Sequence, residues 1–282
     1  MTEDTFTITT DAGTIAGAAG TGGGPDLLLL HGGPGVTDYM ALLAGETGGW
    51  RGIHYQQRGL APSTTDGPFT VARHVADAIA VLDGLGVAHA VVLGHSWGAH
   101  LALQVALAAP DRITGVVAID GPGLSGDGHA PELGAALRAR LTHEEAERCA
   151  EIDERLGSPD ATDADLVAST ALLWGSYFAV RADAEPMPAD LRASLAGTIG
   201  TMGSVYADEF ADDAFAGKLA HLTTPTVVLA GAASPMPVAA SEEVAGLLPR
   251  GEPVVVPDAG HLPWAERPGY VADALARLPG PA

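Results

Sequence analysis

The sequence predicts an α/β protein with a mostly parallel sheet that is interrupted once by a helical insertion. Short aliphatic runs alternate with stretches of helical periodicity, which is typical of parallel βαβ units. This strand rhythm stops after Asp120 and resumes only at Thr226, and the residues between them read as helices separated by Gly, Pro and Asp. With 282 residues, the chain can bury a large core in one domain that carries such an insertion.

The predicted strands are eight short segments rich in aliphatic or β-branched residues. They cover residues 6–10, 14–19, 26–30, 52–56, 90–94, 116–120, 226–231 and 253–256. A helix is predicted over residues 71–85, where apolar residues recur at helical spacing and Thr70 can cap the start. In the insertion, Thr142 and Glu145 form a capping box ahead of another helix. We assign residues 1–120 and 221–282 to the core and residues 121–220 to a helical cap.

The composition favours a soluble protein that binds neither nucleic acid nor membranes. Thirty-five acidic residues against 14 Lys and Arg give a formal net charge of −21, which repels phosphate backbones and anionic lipid surfaces. We therefore expect neither nucleic-acid nor membrane binding. The single cysteine, Cys149, excludes an intramolecular disulfide. The opening Met-Thr-Glu-Asp does not resemble a signal peptide, and the aliphatic runs are too short to span a bilayer, so a cytoplasmic location is predicted.

Residues 94–98 read Gly-His-Ser-Trp-Gly and stand between a predicted strand and a helical stretch. A serine hydroxyl is a poor nucleophile until a sharp turn presents it beside a base. Glycines at both ends let the backbone make such a turn at the upper edge of a sheet. Ser96 is the predicted nucleophile. The alternative is a Gly- and Ser-rich turn without chemistry, which the strand-turn-helix context disfavours.

A second glycine-rich turn, His-Gly-Gly-Pro-Gly at residues 31–35, directly follows the third predicted strand. Acyl transfer requires backbone N–H donors near the oxygen that becomes negative in the tetrahedral intermediate. Gly33 and Trp97, the residue after the nucleophile, are the predicted oxyanion-hole donors. The turn lacks both a Gly-Lys-Ser/Thr ending and Gly-x-Gly-x-x-Gly spacing, so a nucleotide site is disfavoured.

His261 is the predicted base among ten histidines. It follows the last predicted strand and comes after Ser96 in the chain order used by strand-turn-helix serine enzymes. His31 and His95 belong to the glycine turns, and we expect them to hydrogen-bond loop backbone instead.

Together these motifs resemble the α/β-hydrolases, in particular the proline iminopeptidase group of serine peptidases. The matching segments are residues 31–35, the Gln-Gln-Arg-Gly at 56–59 with Ser63, residues 94–98, and the Gly-His loop at 260–261 with Trp264, Glu266 and Pro268. The resemblance implies an eight-stranded, mostly parallel sheet with helices on both faces, a helical lid and a Ser/His/acid triad without metal or cofactor. It also implies that Arg58 supports the oxyanion loop.

The acid of the triad departs from this pattern. Where the family has an acid three residues after the glycine closing the seventh strand, this chain has Ser234, whose hydroxyl carries no charge to stabilise an imidazolium. Asp120, at the end of the neighbouring strand, is the predicted replacement, because strands lie only about 4.8 Å apart. The alternative is that Asp120 caps the following turn. Asp258 is a weaker candidate because its loop to His261 is short.

The cap also departs from the aminopeptidase pattern. It carries bulky apolar residues that either form its own core or an apolar roof over Ser96: Trp174, Tyr177, Phe178, Met202, Tyr206 and Phe210. Trp174, Tyr177 and Phe178 are the predicted substrate contacts. An aminopeptidase needs a carboxylate for the substrate ammonium, but Gly-Ser-Tyr-Phe follows Trp174. The cap glutamates 144, 147, 151 and 154 recur at helical spacing and read as one solvated face.

These observations predict a serine hydrolase, independent of metal and cofactor, that cleaves a small, partly apolar ester, lactone or amide through an acyl-enzyme on Ser96. An epoxide hydrolase or haloalkane dehalogenase would require aspartate at that position. The alternatives are an aminopeptidase of the proline iminopeptidase type, a lyase, cyclase or acyltransferase that uses the same pocket, and a ligand receptor on the same fold.

Overall fold

The computed structural model describes residues 2–124, 129–210 and 214–279. Within these ranges the strands are β1 (Glu3–Thr10), β2 (Gly13–Gly20), β3 (Asp26–Leu30), β4 (Arg51–Tyr55), β5 (Ala90–His95), β6 (Ile113–Ile119), β7 (Thr226–Gly231) and β8 (Gly251–Val256). They form one sheet in the order β1-β2-β4-β3-β5-β6-β7-β8. The β1–β2 and β2–β4 pairs are antiparallel and all others are parallel. The predicted mostly parallel, eight-stranded sheet is confirmed.

The α-helices of the described ranges are α1 (Val71–Gly84), α2 (Trp97–Ala108), α3 (Ala130–Arg138), α4 (His143–Leu156), α5 (Asp163–Leu173), α6 (Leu195–Ser204), α7 (Ala214–Leu219), α8 (Val238–Leu247), α9 (Pro263–Glu266) and α10 (Tyr270–Ala276). Within those ranges, no helix combines the length and apolar character needed to cross a bilayer.

Helices cover both faces of the sheet. Successive side chains of a strand point to opposite faces, and every residue of β5 is buried. Val92 joins an apolar cluster with α1, α2 and α8, whereas Val91 and Leu93 join a second cluster with α10. This two-sided burial explains why the central strands read as unbroken aliphatic runs in the sequence.

The observed elements agree with the predicted ones to within three residues at each end. Strand β8 begins at Gly251, although the sequence placed its start at Pro253. Proline is tolerated there because β8 is an edge strand that pairs only with β7. Helix α1 begins as predicted, since the Thr70 hydroxyl accepts the Arg73 backbone N–H. The predicted capping box of Thr142 and Glu145 begins α4.

The insertion comprises the residues between β6 and β7, and its described part forms α3 to α7. Arg140 joins the insertion to the loop that follows β7. The Arg140 guanidinium donates to the carbonyl oxygens of Ser176 and Phe178, both at 2.8 Å, and to that of Ala233 in the loop after β7 at 2.7 Å. One side chain therefore fixes the segment around Tyr177 against the carboxyl end of the sheet.

Arg58 is buried and paired with α1. Its guanidinium donates to both carboxylate oxygens of Asp77, at 2.6 and 3.0 Å, and the two side chains are 0% and 1% exposed. It also donates to the backbone carbonyls of Asp66 and Ala12. Arg58 thus holds the segment after β4 against α1, and its neighbour Gln57 donates to the His31 carbonyl of the glycine-rich turn at residues 31–35.

Asp77→Ala is expected to lower the free energy of unfolding by about 3–5 kcal/mol, because it leaves the Arg58 charge buried without its partner. Chemical denaturation measures this change. Asp83→Ala is the matched control: it removes the Arg112 ion pair, in which Asp83 is 63% exposed, and is expected to cost less than about 1 kcal/mol. Equal losses in the two variants would contradict the prediction.

Candidate active site

Ser96 lies in the sharp turn between β5 and α2. Its backbone has φ 56° and ψ −123°, a strained conformation for a residue with a side chain. The turn depends on its glycines, because a Cβ at Gly94 would overlap the carbonyl of Gly98, and one at Gly98 would overlap the carbonyl of Leu30. The predicted strand-turn-helix context of the serine is therefore present.

His261 lies in the loop between β8 and α9 and is 4% exposed. Its backbone N–H donates to the carbonyl of Tyr177 at 2.7 Å. Its Nδ1 lies 3.4 Å from the Ser234 hydroxyl and 3.5 Å from Oδ2 of Asp120. The structure therefore brings the predicted base together with both the predicted acid and the serine at the usual acid position.

Asp120 follows β6 and is fully buried, with φ at 50°. Oδ2 also accepts the Gly231 backbone N–H at 3.4 Å, while Oδ1 has no hydrogen-bond partner in the described part of the chain. Burial raises the pKa of this carboxyl above its usual value, although contacts with His261, Ser234 and Gly231 act in the opposite direction. The side chain thus faces β7 and the histidine rather than its own turn.

Asp258 is not part of this group. Its side chain is 82% exposed and pairs with Arg267 at 3.6 Å. The short loop to His261 turns this carboxylate to the surface, which leaves Asp120 as the buried carboxylate near the imidazole.

The glycine-rich loop, residues 31–35, lies next to Ser96. Within the residues that the structure describes, neither the Gly33 nor the Trp97 backbone N–H donates a hydrogen bond. Gln57 joins the two segments: its amide donates to the His31 carbonyl at 2.8 Å, and its side-chain carbonyl accepts the Trp97 indole N–H at 2.8 Å. This arrangement can present two free N–H groups to an oxyanion.

A cavity of about 230 Å³ lies over the turn. Ser96, His261 and Gly33 are on its wall, together with apolar side chains of the insertion, namely Leu133, Leu166, Trp174, Tyr177, Pro188 and Leu191. Its lining, as far as the structure describes it, includes no Asp, Glu, Lys or Arg. The candidate nucleophile and base therefore share a mainly apolar pocket. On its described lining, only the histidines can carry a charge near neutral pH.

Comparison with known proteins identifies the family. The family described as the alpha/beta hydrolase fold matches residues 25–268. The chain belongs to this α/β-hydrolase family. A putative carbamate hydrolase, RutD, from Caulobacter vibrioides is 34% identical over 109 residues, which cover 33% of this chain and only 40% of that protein.

Two solved α/β-hydrolase structures cover nearly all of the chain. An alpha/beta fold family hydrolase from Bacillus anthracis has a TM-score of 0.75 at 17% identity and covers 97% of this chain and 98% of its own. Proline iminopeptidase from Mycobacterium smegmatis has a TM-score of 0.68 at 22% identity and covers 97% of both chains. At these identities, the likeness shows the α/β-hydrolase fold, which confirms the predicted fold class.

The structure corrects part of the predicted roof of this α/β-hydrolase. Trp174 and Tyr177 line the cavity, but Phe178 does not. Phe178 is 0% exposed and packs in the core against Trp174, with ring centroids 5.7 Å apart, because the chain turns between Tyr177 and Phe178. Phe210 packs on His100, also away from Ser96. Besides Trp174 and Tyr177, the insertion lines the cavity with Leu133, Leu166, Thr170, Pro188, Leu191 and Thr198.

The prediction for His31 and His95 is confirmed. His31 Nδ1 donates to the Gly32 carbonyl at 2.8 Å, and His95 Nε2 lies 2.8 Å from the His261 carbonyl oxygen. Tyr39, which was not among the predicted site residues, lines the cavity and hydrogen-bonds both Gly32 and His95. No local pattern marks it, since its partners are distant in sequence.

Proposed function

We propose that this α/β-hydrolase is a serine hydrolase that cleaves small, uncharged, partly apolar esters and lactones through an acyl-enzyme on Ser96. The observation that carries the proposal is the cavity of about 230 Å³, in which Ser96 and His261 share an apolar wall without fixed side-chain charge while Asp120 stands 3.5 Å from His261 Nδ1.

In the proposed acylation step, Ser96 Oγ attacks the substrate carbonyl and His261 Nε2 takes the hydroxyl proton. The contacts of Nδ1 with Asp120 and Ser234 favour this assignment, because a proton on Nδ1 leaves Nε2 free to accept. The Asp120 carboxylate stabilises the imidazolium that forms. His261 then passes the proton to the leaving alkoxide as the carbonyl–oxygen bond breaks.

We assign the oxyanion hole to the backbone N–H groups of Gly33 and Trp97. Both are close to Ser96 in the fold and neither has another acceptor in the described structure. Fixed donors of this kind act where charge develops, inside a pocket that excludes most water. Water then attacks the acyl-enzyme with His261 as base, and the acid product leaves with Ser96 regenerated. The cycle requires no metal or cofactor.

The pocket chemistry favours an uncharged substrate. A buried ammonium or carboxylate requires a charged partner, because an unpaired buried ion costs several kcal/mol. The cap glutamates 144, 147, 151 and 154 are exposed on α4, as predicted, and none is on the cavity wall. The Thr198 hydroxyl on the wall is engaged with the Pro34 and Ser194 carbonyls. A described lining without charged partners disfavours an aminopeptidase. Neutral carbamates are compatible with it and belong to the proposed substrates.

The cavity is smaller than the range of about 300–1,000 Å³ typical of pockets for drug-sized ligands. We therefore propose a short acyl chain. In this scheme residues 121–220 act as the cap, since α3 and α5 contribute Leu133 and Leu166 to the wall opposite Ser96.

A substrate panel tests this proposal. We expect turnover of p-nitrophenyl acetate and butyrate, at least about 100-fold lower kcat/KM for p-nitrophenyl dodecanoate, and no turnover of proline p-nitroanilide. The long acyl chain does not fit a cavity of about 230 Å³, and the prolyl ammonium finds no carboxylate on its described lining. Preferred cleavage of the prolyl amide would overturn the proposed substrate class.

Leu166→Ala is expected to raise the kcat/KM ratio of p-nitrophenyl hexanoate to acetate by about tenfold, because it enlarges the pocket by the volume of the lost side chain. Leu172→Ala is the matched control: it makes the same change on helix α5, but Leu172 packs against the cluster around Leu137 instead of the cavity. An equal shift in the control would show that chain-length preference has another origin.

A further inference from the structure

Tyr39 and His95 connect the three loops that carry the proposed reacting groups. The Tyr39 hydroxyl accepts the backbone N–H of Gly32, in the glycine-rich loop, at 2.8 Å. The same hydroxyl lies 2.5 Å from Nδ1 of His95, the residue directly before Ser96. Nε2 of His95 in turn lies 2.8 Å from the carbonyl oxygen of His261.

The proton positions along this chain follow from its ends. Because the Tyr39 oxygen already accepts the Gly32 N–H, its own proton is free to be donated to His95 Nδ1. A neutral imidazole that accepts at Nδ1 carries its proton on Nε2, and the His261 carbonyl is an acceptor. Tyr39 and His95 therefore each make one hydrogen bond as donor and one as acceptor.

The surroundings keep His95 neutral. Burial lowers its pKa well below the ordinary value, and the nearby charge of His261 lowers it further. The His95 ring packs between His261 and Trp264, with ring centroids at 4.6 and 4.7 Å. A neutral imidazole held in place by this packing accepts at Nδ1 and donates from Nε2, as assigned above.

We propose that Tyr39 and His95 are positioning residues that hold the glycine-rich loop, the Ser96 turn and the His261 loop in one fixed arrangement. The inference rests on the proposed serine mechanism. Tyr39 donates its proton to His95, so it is not an oxyanion donor despite its place on the cavity wall. Its effect on the reaction is exerted through Gly32 and His95.

The hydrogen-bonded chain from Gly32 through Tyr39 and His95 to His261, here called the relay, fixes a different group at each end. The Gly32 bond fixes the peptide next to Gly33, so it sets where that oxyanion donor points. The bond to His95 and onward to His261 fixes the backbone of the base from the side opposite its Tyr177 contact. Displacement of reacting groups by about 1 Å can cost about 100-fold in rate.

Tyr39→Phe is expected to lower kcat for p-nitrophenyl acetate by about 10- to 100-fold with KM changed less than about threefold. The ring and the pocket shape remain, so a change mainly in kcat reports alignment. Tyr55→Phe is the matched control, because it removes a buried phenolic oxygen that has no hydrogen-bond partner in the described structure. An unchanged kcat in Tyr39→Phe, or a change in KM alone, would overturn the proposal.

A double-mutant cycle with His95→Gln isolates the relay. The glutamine amide can still donate to the His261 carbonyl but offers no acceptor at the Nδ1 position. If Tyr39 and His95 act as one unit, the double variant loses less than the product of the two single losses. Multiplicative losses would contradict the relay. If Tyr39→Phe does not fold, the kcat and KM of His95→Gln decide whether alignment is lost.

Amide hydrogen exchange gives a readout that does not depend on activity. In Tyr39→Phe we expect the Gly32 amide to exchange at least about tenfold faster than in the native protein, since it loses its acceptor. Failure of the native protein to react with a fluorophosphonate would overturn the serine mechanism. The Gly32 exchange rate would still test the hydrogen-bond relay, because it does not depend on that mechanism. Unchanged exchange at Gly32 would refute that relay.

Discussion

Asp120→Asn is expected to lower kcat for p-nitrophenyl acetate by about ten-thousand-fold with little change in KM. The amide keeps the shape of the carboxylate but loses its charge, and its N–H₂ can face His261 Nδ1 and hold the wrong tautomer. Steady-state kinetics with parallel thermal unfolding measures the effect. Asp258→Asn, a change of the same type at an exposed carboxylate, is expected to leave kcat unchanged.

Ser234→Ala is the comparison that decides the acid assignment. The Ser234 hydroxyl is as close to His261 Nδ1 as the carboxylate, at 3.4 against 3.5 Å, so distance alone does not separate them. Charge separates them, because only the carboxylate can stabilise an imidazolium. The neutral hydrogen bond of Ser234 contributes about 1 kcal/mol, so Ser234→Ala is expected to lower kcat only about fivefold. A larger loss in Ser234→Ala than in Asp120→Asn would refute the assignment.

The double change Asp120→Asn with Ser234→Asp sharpens the test. It moves the carboxylate to the position after β7 that the resembled family uses. Because this position also faces His261 Nδ1, we expect recovery of part of the activity that Asp120→Asn loses. A protein that remains as inactive as the single variant would show that only the β6 position orients the base.

Ser96→Ala is expected to abolish fluorophosphonate labelling and to lower kcat by about a million-fold, because it removes the proposed nucleophile. Mass spectrometry of the labelled native protein should place the adduct on Ser96. Ser241→Ala is the control, since Ser241 is a buried serine on α8 outside the cavity. Labelling that persists in Ser96→Ala would identify a different nucleophile, and absence of labelling in the native protein would favour a ligand receptor.

Local sequence patterns were sufficient for the parts of the fold that depend on local chemistry. The eight strands, the Thr70 cap and the Gly94 to Gly98 turn follow from aliphatic runs, capping side chains and glycine spacing. The proximity of Asp120 to His261 was also predictable, because β6 and β7 are adjacent in the sheet and pair Ile119 with Leu229. Sequence order and strand spacing together determine that arrangement.

The composition of the roof could not be predicted in the same way. Helical periodicity identifies an apolar side chain but not which surface of a small insertion it faces, so Phe178 was expected in the cavity whereas Leu133 and Leu166 line it. The Tyr39 and His95 relay joins residues far apart in the chain, and only the folded backbone brings their polar atoms together.

The Tyr177 carbonyl couples the position of the insertion to that of the candidate base, because it accepts the His261 backbone N–H. If the whole insertion moved outward, it would break this bond and the Arg140 bond to the Ala233 carbonyl, and the proposed base would lose its alignment. Under the proposed mechanism, an outward-moved insertion would therefore be an inactive state, and turnover would require the insertion to stay seated on the sheet.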